Sequence, residues 1–304
     1  MRIAVSGETP GKAYNLEEIA SYIRAYGADA IELWPENVPG EPDVRRFYRE
    51  RDLGAAEKIL ARAGVDTACV AFGAAFDRAL TADESTYARE LARAVEVAAQ
   101  LGANRVNHYL YYLSMTPRAD LERLKRIFSP ALERAEQLGV TLVLEDEAHD
   151  STRDPREMLR IVRAFDSPYF RTNFDAINYD QASFEGFPGA YATLRGHISY
   201  VHIKDGCIYN PEAGHMIDSL GGDMTGANAG NKIYYPFIGT GKLNIPGLLQ
   251  VLHADGYDGF CTIEPHTSIE LWHAYAKEEI RYLQATGFFD TPPRRMITTP
   301  SPDA

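Results

Sequence analysis

Short runs of mainly apolar residues alternate along this chain with longer segments in which apolar residues recur three and four positions apart. Short apolar runs bounded by turn residues are typical of parallel strands that are buried on both faces. The longer segments are typical of amphipathic helices. The eight apolar runs span residues 2–6, 29–34, 67–73, 104–110, 140–146, 169–175, 198–205 and 259–265.

Capping residues and glycines mark the ends of the helical segments. Asn15 and Glu18 have the spacing of a capping box, with Asn in place of the usual Ser or Thr. Gly27, Gly64 and Gly139 follow helical segments at the position where a left-handed backbone conformation commonly ends a helix. The predicted helices cover about residues 15–27, 55–63, 83–101, 119–138, 154–164, 191–194, 245–254 and 269–286.

Eight strand-then-helix units predict a single-domain α/β protein, a (β/α)8 TIM barrel, over residues 1–288. An open doubly wound sheet has the same alternation, but the count of eight and the absence of a glycine-rich dinucleotide motif after the first run favour the barrel. A long irregular stretch, residues 206–241, is predicted as a loop insertion. The Pro- and Thr-rich residues 289–304 are predicted to form an extended tail.

Composition excludes several classes of protein. The net charge of −12, from 43 acidic and 31 basic residues, disfavours a nucleic-acid partner, which would select a basic surface. No apolar run reaches the length of a membrane span. The three cysteines form no CxxC pair, which indicates a reducing compartment. The first residues lack the long apolar region of a signal peptide, so the expected location is the cytoplasm.

The last four apolar runs each carry one potential metal ligand at or near the carboxyl end: Glu145, Asp175, His202 and Glu264. In a TIM barrel the carboxyl ends of the strands build the active site. A single acidic residue there could cap a helix, but four ligands in register favour a metal because buried charges need a partner. Three carboxylates and one imidazole suit Mn²⁺ first, with Mg²⁺ or Co²⁺ as alternatives, whereas zinc favours Cys- and His-rich sites.

Several segments of the second half resemble the xylose-isomerase-like sugar phosphate isomerase/epimerase superfamily. They are VLEDEAHD (143–150), TNFDAINY (172–179), YVHIKD (200–205), FIGTGKLNIPGLL (237–249) and GYDGFCTIEP (256–265). Members bind one divalent ion through Glu, Asp, His and Glu at the ends of strands five to eight. The resemblance implies that these ligands are Glu145, Asp175, His202 and Glu264. The family includes keto-sugar epimerases, hydroxypyruvate isomerase, inosose dehydratases and the barrel subunits of C-glycoside-cleaving lyases.

The resemblance implies an enzyme that removes a proton α to a carbonyl group through a metal-stabilised enediolate. Glu145 and Glu264 are the candidate bases, because they flank the metal from non-adjacent strands. The leading prediction is a sugar isomerase or epimerase. A lyase shares the same first step and stays open, either an inosose-type dehydratase or an enzyme that cleaves a 3-keto-glycoside. A sugar-binding subunit without activity is the third alternative. Apurinic endonucleases share the barrel but need a histidine-rich zinc site.

Two further residues are candidates for catalysis. Lys204 follows His202 by two positions and therefore faces the same way on a strand. It could neutralise an oxyanion or protonate a leaving hydroxyl, or it could form a structural ion pair with Asp175 or Asp205. His108, near the end of the fourth run, could shuttle a proton or contact a substrate hydroxyl, or it could be an ordinary buried histidine.

Substrate contacts are predicted at Trp34, Glu147, Asn178 and Lys204. Trp34 could stack on a sugar ring or pack in the core. Asn178 stands where the family's epimerases usually have His, which speaks against a strict ketose 3-epimerase. The insertion could close over the substrate or contact a neighbouring subunit. The expected partners are a small carbohydrate or polyol and further copies of the chain, with a small accessory subunit if the protein is a C-glycoside lyase.

Overall fold

The computed structural model describes residues 1–40 and 47–290, and within these ranges eight parallel strands form a closed barrel. The strands in the described residues are β1 (Arg2–Ser6), β2 (Ala30–Leu33), β3 (Asp66–Phe72), β4 (Arg105–His108), β5 (Thr141–Glu145), β6 (Phe170–Asp175), β7 (Ile198–Ile203), β8 (Cys207–Ile208), β9 (Leu220–Asp223), β10 (Lys232–Tyr234) and β11 (Phe260–Ile263). The barrel follows chain order from β1 to β7 and closes through β11, which pairs with both β7 and β1. The predicted (β/α)8 barrel is therefore confirmed.

Helices surround the barrel and largely match the predicted segments. They are α1 (Leu16–Tyr26), α2 (Leu53–Ala63), α3 (Arg78–Ala82), α4 (Glu84–Gln100), α5 (Leu121–Leu138), α6 (Pro155–Phe165), α7 (Ala176–Gln181), α8 (Tyr191–Leu194), α9 (Ile245–Ala254) and α10 (Ile269–Ala285). The predicted capping box begins α1, with Asn15 Oδ1 accepting from the Glu18 backbone 3.1 Å away. The helices α3 and α7 were not predicted, because five or six residues are too few to show a helical period.

The stretch predicted as a loop, residues 206–241, contains the strands β8, β9 and β10, which form a small antiparallel sheet in the order β8-β10-β9. Strands of two to four residues are too short to show an alternating pattern, so the sequence could not reveal this sheet. The buried carboxylate of Asp205 fastens the segment to the barrel. It accepts backbone N–H groups of Gly206, Gly239, Gly241 and Leu243 at 2.8–3.0 Å.

The barrel interior has an apolar layer below a polar layer. Small residues with Val143 and Tyr200 fill the lower layer, among them Ala4, Ala30, Ala68 and Cys69. Side chains two positions apart on a strand share a face, so Glu32, Glu145 and His202 form the next layer toward the carboxyl ends. The larger apolar core lies between the outer face of the barrel and the helices.

The two ends of the described chain meet at the bottom of the barrel, where the backbone N–H of Asp290 donates to the carbonyl of Met1 at 2.9 Å. From residue 291 onward, the predicted tail 289–304 lies outside the described residues. None of the described helices is both long enough and apolar enough to cross a membrane.

Candidate metal centre

The four predicted ligands meet at the carboxyl-end mouth of the barrel. Among the described residues, Glu145, Asp175, His202 and Glu264 each offer one ligand atom, and these atoms all lie within 4.8 Å of one another. All four side chains are buried. They converge because parallel strands end at one rim: Asp175 pairs in register with His202, and His202 pairs with Thr262, two residues before Glu264.

Two amide side chains bind one oxygen of Glu145 and leave the other directed into the cluster. Asn107 Nδ2 donates to Glu145 Oε2 at 2.7 Å, and Asn173 Nδ2 donates to the same oxygen at 3.1 Å. Glu145 Oε1 lies 3.0 Å from His202 Nδ1. Neither asparagine was predicted from the sequence, although both lie inside predicted buried strands, where an amide needs a hydrogen-bond partner.

Asp175 is oriented by the backbone that follows it. Its Oδ1 accepts the N–H of Ile177 at 2.9 Å at the start of α7, where the exposed N–H groups of a helix favour a carboxylate. Its Oδ2 faces the cluster and lies 2.8 Å from Lys204 Nζ. Behind it, Asp146 Oδ1 accepts the backbone N–H of Asp175 at 3.0 Å.

His202 lies between carboxylates on opposite sides of its ring. Its Nε2 is 2.8 Å from Glu32 Oε2 on β2. Its Nδ1 is 3.0 Å from Glu145 Oε1 and 3.6 Å from Glu264 Oε2. Burial by itself would lower the pKa of His202, but Glu145 and Glu32 outweigh burial and raise this pKa well above its ordinary value. Glu32 was not predicted from the sequence, although it is an acid between the apolar residues Ile31 and Leu33.

Lys204 bridges two of the predicted metal ligands. Its Nζ lies 2.8 Å from both Asp175 Oδ2 and Glu264 Oε2, and its side chain is buried. Burial alone would lower the pKa of Lys204, but these two carboxylates raise it well above its ordinary value, so the ammonium stays charged. The ion pair with Asp175 that the sequence left open is therefore present. Asp205 instead faces the backbone of the insertion.

His266 and Tyr235 complete this side of the mouth, and His266 was not predicted. The half-exposed His266 places Nε2 3.1 Å from Glu264 Oε2 and 3.2 Å from Lys204 Nζ. Its ring stacks on Tyr235 with a centroid distance of 4.7 Å. Tyr235 directly follows β10, which belongs to the insertion at residues 206–241. The insertion therefore lies beside the mouth of the barrel, next to His266 and the ligand cluster. The position of His266 two residues after Glu264 was the signal in the sequence.

The two candidate bases have different surroundings. Glu145 accepts from two neutral amides and lies 3.0 Å from His202. Glu264 lies 3.6 Å from His202 and also lies beside Lys204 and His266. Burial would raise the pKa of Glu264, but Lys204 and His202 more than offset burial and hold this pKa well below its ordinary value. A carboxylate with a pKa lowered in this way is a weak base.

Aromatic side chains line the mouth at β2 to β4, across the barrel from Lys204, which directly follows β7. Trp34 donates from Nε1 to Ser6 Oγ at 3.2 Å and lies 6.2 Å from the ring of Tyr109. The ring centroids of Tyr109 and Phe76 are 4.7 Å apart. The predicted Trp34 thus belongs to an aromatic wall of the mouth, where stacking on a sugar ring stays a prediction.

The two other predicted substrate contacts are placed differently from each other. Glu147 follows β5 at the mouth, half-buried, and burial together with the charge of Glu145 raises its pKa well above the ordinary value. Asn178 is buried and donates its amide to the carbonyl of Asp146 at 2.7 Å. This bond holds the loop after β5 against α7, so the structure does not support Asn178 as a substrate contact.

The structure places His108 outside the cluster, which corrects its predicted catalytic role. Neighbouring side chains on a strand face opposite ways, and here Asn107 enters the barrel. His108 therefore faces outward, fully buried against the rings of Phe128 and Phe170 at 4.9 and 5.5 Å. Neither ring nitrogen has a hydrogen-bond partner within the part of the chain that the structure describes. Burial lowers the pKa of His108 to about 3.

Replacing His108 by leucine is expected to preserve activity and to keep or increase stability. The change removes two buried nitrogens that lack partners, each of which costs about 1–3 kcal/mol in a folded protein. Urea unfolding and α-proton exchange on substrate measure the two effects. A large loss of exchange at unchanged stability would restore a catalytic role for His108.

Comparisons with known proteins agree with this architecture. The probable 3-DHS dehydratase AsbF from Bacillus anthracis has a TM-score of 0.68 at 16% identity, over 93% of this chain and 99% of that chain. A xylose isomerase-like TIM barrel protein from Mycobacterium smegmatis, in complex with magnesium, has a TM-score of 0.67 at 17% identity, over 94% of this chain and 96% of that chain. An L-ribulose 3-epimerase has a TM-score of 0.64 at 18% identity, over 94% of each chain. At these identities the likeness shows a shared fold.

A family model described as xylose isomerase-like TIM barrel matches residues 20–286. A search of curated proteins found no match. The family match spans most of the chain. It includes the four predicted ligands and four residues that contact them: Glu145, Asp175, His202 and Glu264, with Glu32, Asn107, Asn173 and Lys204. The predicted resemblance is confirmed, and the chain belongs to the family of xylose isomerase-like TIM barrel proteins.

Proposed function

We propose that this protein is a divalent-metal-dependent enzyme that isomerises or epimerises a keto-sugar or related polyol by removing a proton α to a carbonyl group. One observation carries the proposal. Glu145, Asp175 and His202 each bind a fixed partner through one polar atom and direct the other into a common cluster with Glu264. Such orientation of ligands by outer partners is typical of metal sites.

The donor set fits Mn²⁺, Mg²⁺ or Co²⁺, and we propose Mn²⁺. Three carboxylates and one imidazole form an oxygen-rich set that suits these ions. Counting Glu32, four buried carboxylates surround the centre, and Lys204 offsets one of their charges. Buried charge of this kind needs a compensating cation, and a divalent ion supplies it.

Glu145 is the proposed base. A bound divalent ion would polarise the substrate carbonyl and its neighbouring hydroxyl, and would stabilise the negative charge that proton removal creates. The amides of Asn107 and Asn173 orient Glu145, whereas Lys204 and His202 lower the pKa of Glu264 and so reduce its basicity. The aromatic wall at Trp34 would take the apolar face of a sugar, and Glu147 would accept from its hydroxyl groups.

A dehydratase is the second candidate, and the position of Lys204 favours it. Elimination needs one base and one acid: Glu145 takes the α proton, the C–O bond to the β-hydroxyl breaks, and Lys204 protonates the departing oxygen to give water. Epimerisation instead needs proton transfer at both faces of the same carbon. The unequal surroundings of Glu145 and Glu264 suit the one-base reaction. A protein described as a probable 3-DHS dehydratase also occurs among the proteins of similar fold.

NMR in D₂O tests the proposal directly. Ketoses, inososes and 3-keto-glucosides are each incubated with the protein, first with Mn²⁺ and then with EDTA. We expect one α-proton signal to disappear with Mn²⁺ and to persist with EDTA. An epimer or aldose as product would assign the first candidate, and a dehydrated product would assign the second. Exchange that continues unchanged in EDTA, or no exchange with Mn²⁺ demonstrably bound, would contradict the proposal.

A further inference from the structure

Glu32 on β2 is a buried carboxylate that lies 170 residues from His202 in sequence and contacts it in the barrel. Both side chains are fully buried, and Glu32 Oε2 lies 2.8 Å from His202 Nε2. Its other oxygen, Oε1, lies 3.5 Å from Ser6 Oγ, which also accepts the indole N–H of Trp34. The side chain is thus held from both ends, and it is aimed at the ring nitrogen that faces away from the cluster.

The chemistry of the imidazole decides which nitrogen faces an ion. Each ring nitrogen of His202 faces a carboxylate, Nε2 facing Glu32 and Nδ1 facing Glu145, and a carboxylate accepts hydrogen bonds. An ion in the ligand cluster would take the place of the hydrogen on Nδ1, whereas Nε2 would keep the hydrogen that it donates to Glu32. A ring that binds a metal keeps one hydrogen, which leaves the lone pair on Nδ1. That nitrogen is 3.0 Å from Glu145 Oε1 and 3.6 Å from Glu264 Oε2, at the centre of the ligand cluster.

We propose that Glu32 is a positioning residue of the metal centre, which holds His202 in the orientation and tautomer that present Nδ1 to the ion. Its negative charge also increases the electron density that the ring donates. The inference rests on the proposed metal-dependent function. If Glu32 were only a partner for a charged His202 in the core, its removal would change stability and leave ion affinity unchanged.

The test measures Mn²⁺ binding to the purified full chain by calorimetry, without substrate, in wild type and in Glu32→Gln. Glutamine keeps the size of the side chain and removes its charge. We expect Mn²⁺ binding to weaken about 10- to 100-fold, as for other outer partners of metal-binding histidines. The visible spectrum of bound Co²⁺ is expected to change as well, because it reports ligand geometry. Glu279→Gln is the matched control, since Glu279 is a buried glutamate on α10 that accepts from the backbone of Ile238.

Each outcome decides the inference. Equal Mn²⁺ affinity in wild type and Glu32→Gln would overturn it and leave the proposed function standing. Equal weakening of Mn²⁺ binding in Glu279→Gln would also overturn the inference. The loss in Glu32→Gln would then follow from removing any buried carboxylate and not from the contact with His202. If wild type bound no Mn²⁺, the proposed function would fall together with the inference. If Glu32→Gln does not fold, Glu32→Asp replaces it: the shorter carboxylate withdraws from Nε2, and unchanged affinity there would refute the role.

Discussion

Replacing Glu145 by glutamine is expected to slow metal-dependent α-proton exchange by about 10³-fold, within the range found for removal of a general base. The amide cannot accept the substrate proton. Glutamine is nearly isosteric, so the barrel interior around Asn107 and Asn173 should keep its packing. The rate is measured by NMR in D₂O at saturating Mn²⁺, so that weaker ion binding by the variant does not lower the rate.

Glu264→Gln is the informative comparison for this prediction. Lys204 and His266 already reduce the basicity of Glu264, so its replacement should slow exchange less at saturating Mn²⁺. Glu279→Gln controls for loss of a buried carboxylate outside the cluster and should exchange like wild type. A larger loss in Glu264→Gln than in Glu145→Gln would reverse the assigned roles. Wild-type exchange in Glu145→Gln would exclude Glu145 as the base.

Replacing Lys204 by methionine is expected to lower the free energy of unfolding by about 3–5 kcal/mol in EDTA, the usual cost of removing one partner of a buried ion pair. The change leaves Asp175 and Glu264 buried without the ammonium that lies 2.8 Å from each. Saturating Mn²⁺ should restore much of the loss, because the ion supplies positive charge to the same two carboxylates. Urea unfolding with EDTA and with Mn²⁺ measures both effects.

Lys232→Met is the matched control for Lys204→Met. Lys232 pairs with Asp223 at 2.9 Å, but the two side chains are 49% and 76% exposed. Exposed ion pairs contribute about 0–1 kcal/mol, so this variant should unfold like wild type with or without metal. An equal loss in Lys204→Met under both conditions would show that a bound ion does not compensate Asp175 and Glu264. That result would argue against the proposed ligand set.

The barrel and the approximate place of its active site were predictable from local patterns. A buried parallel strand is a continuous apolar run, and eight such runs alternating with helical segments leave few other folds. Parallel strands of a barrel end at one rim, so acids and a histidine at the ends of β5, β6, β7 and β11 had to lie near each other. Glu145, Asp175, His202 and Glu264 do so in the structure.

The face on which a strand residue points was harder to predict than its position along the strand. His108 lies nearest the end of β4 and was predicted to contribute to catalysis. Its neighbour Asn107 instead enters the barrel and donates to Glu145. Successive side chains on a strand point to opposite faces. An error of one position therefore assigns a residue of the outer core to the barrel interior. The register of β4 with β5 settles this, since His108 pairs with Leu144 of the outer core and Asn107 with Val143 of the interior.

The sequence by itself determined the order of strands and helices, and with it the rim at which the ligands gather. Those features depend on hydrophobic periodicity, which is local. The tertiary structure alone decided which atoms touch: Glu32 on His202, Lys204 between Asp175 and Glu264, and Tyr235 of the insertion against His266. These contacts join residues far apart in the chain. Their geometry follows from barrel closure and strand register, which no short segment encodes.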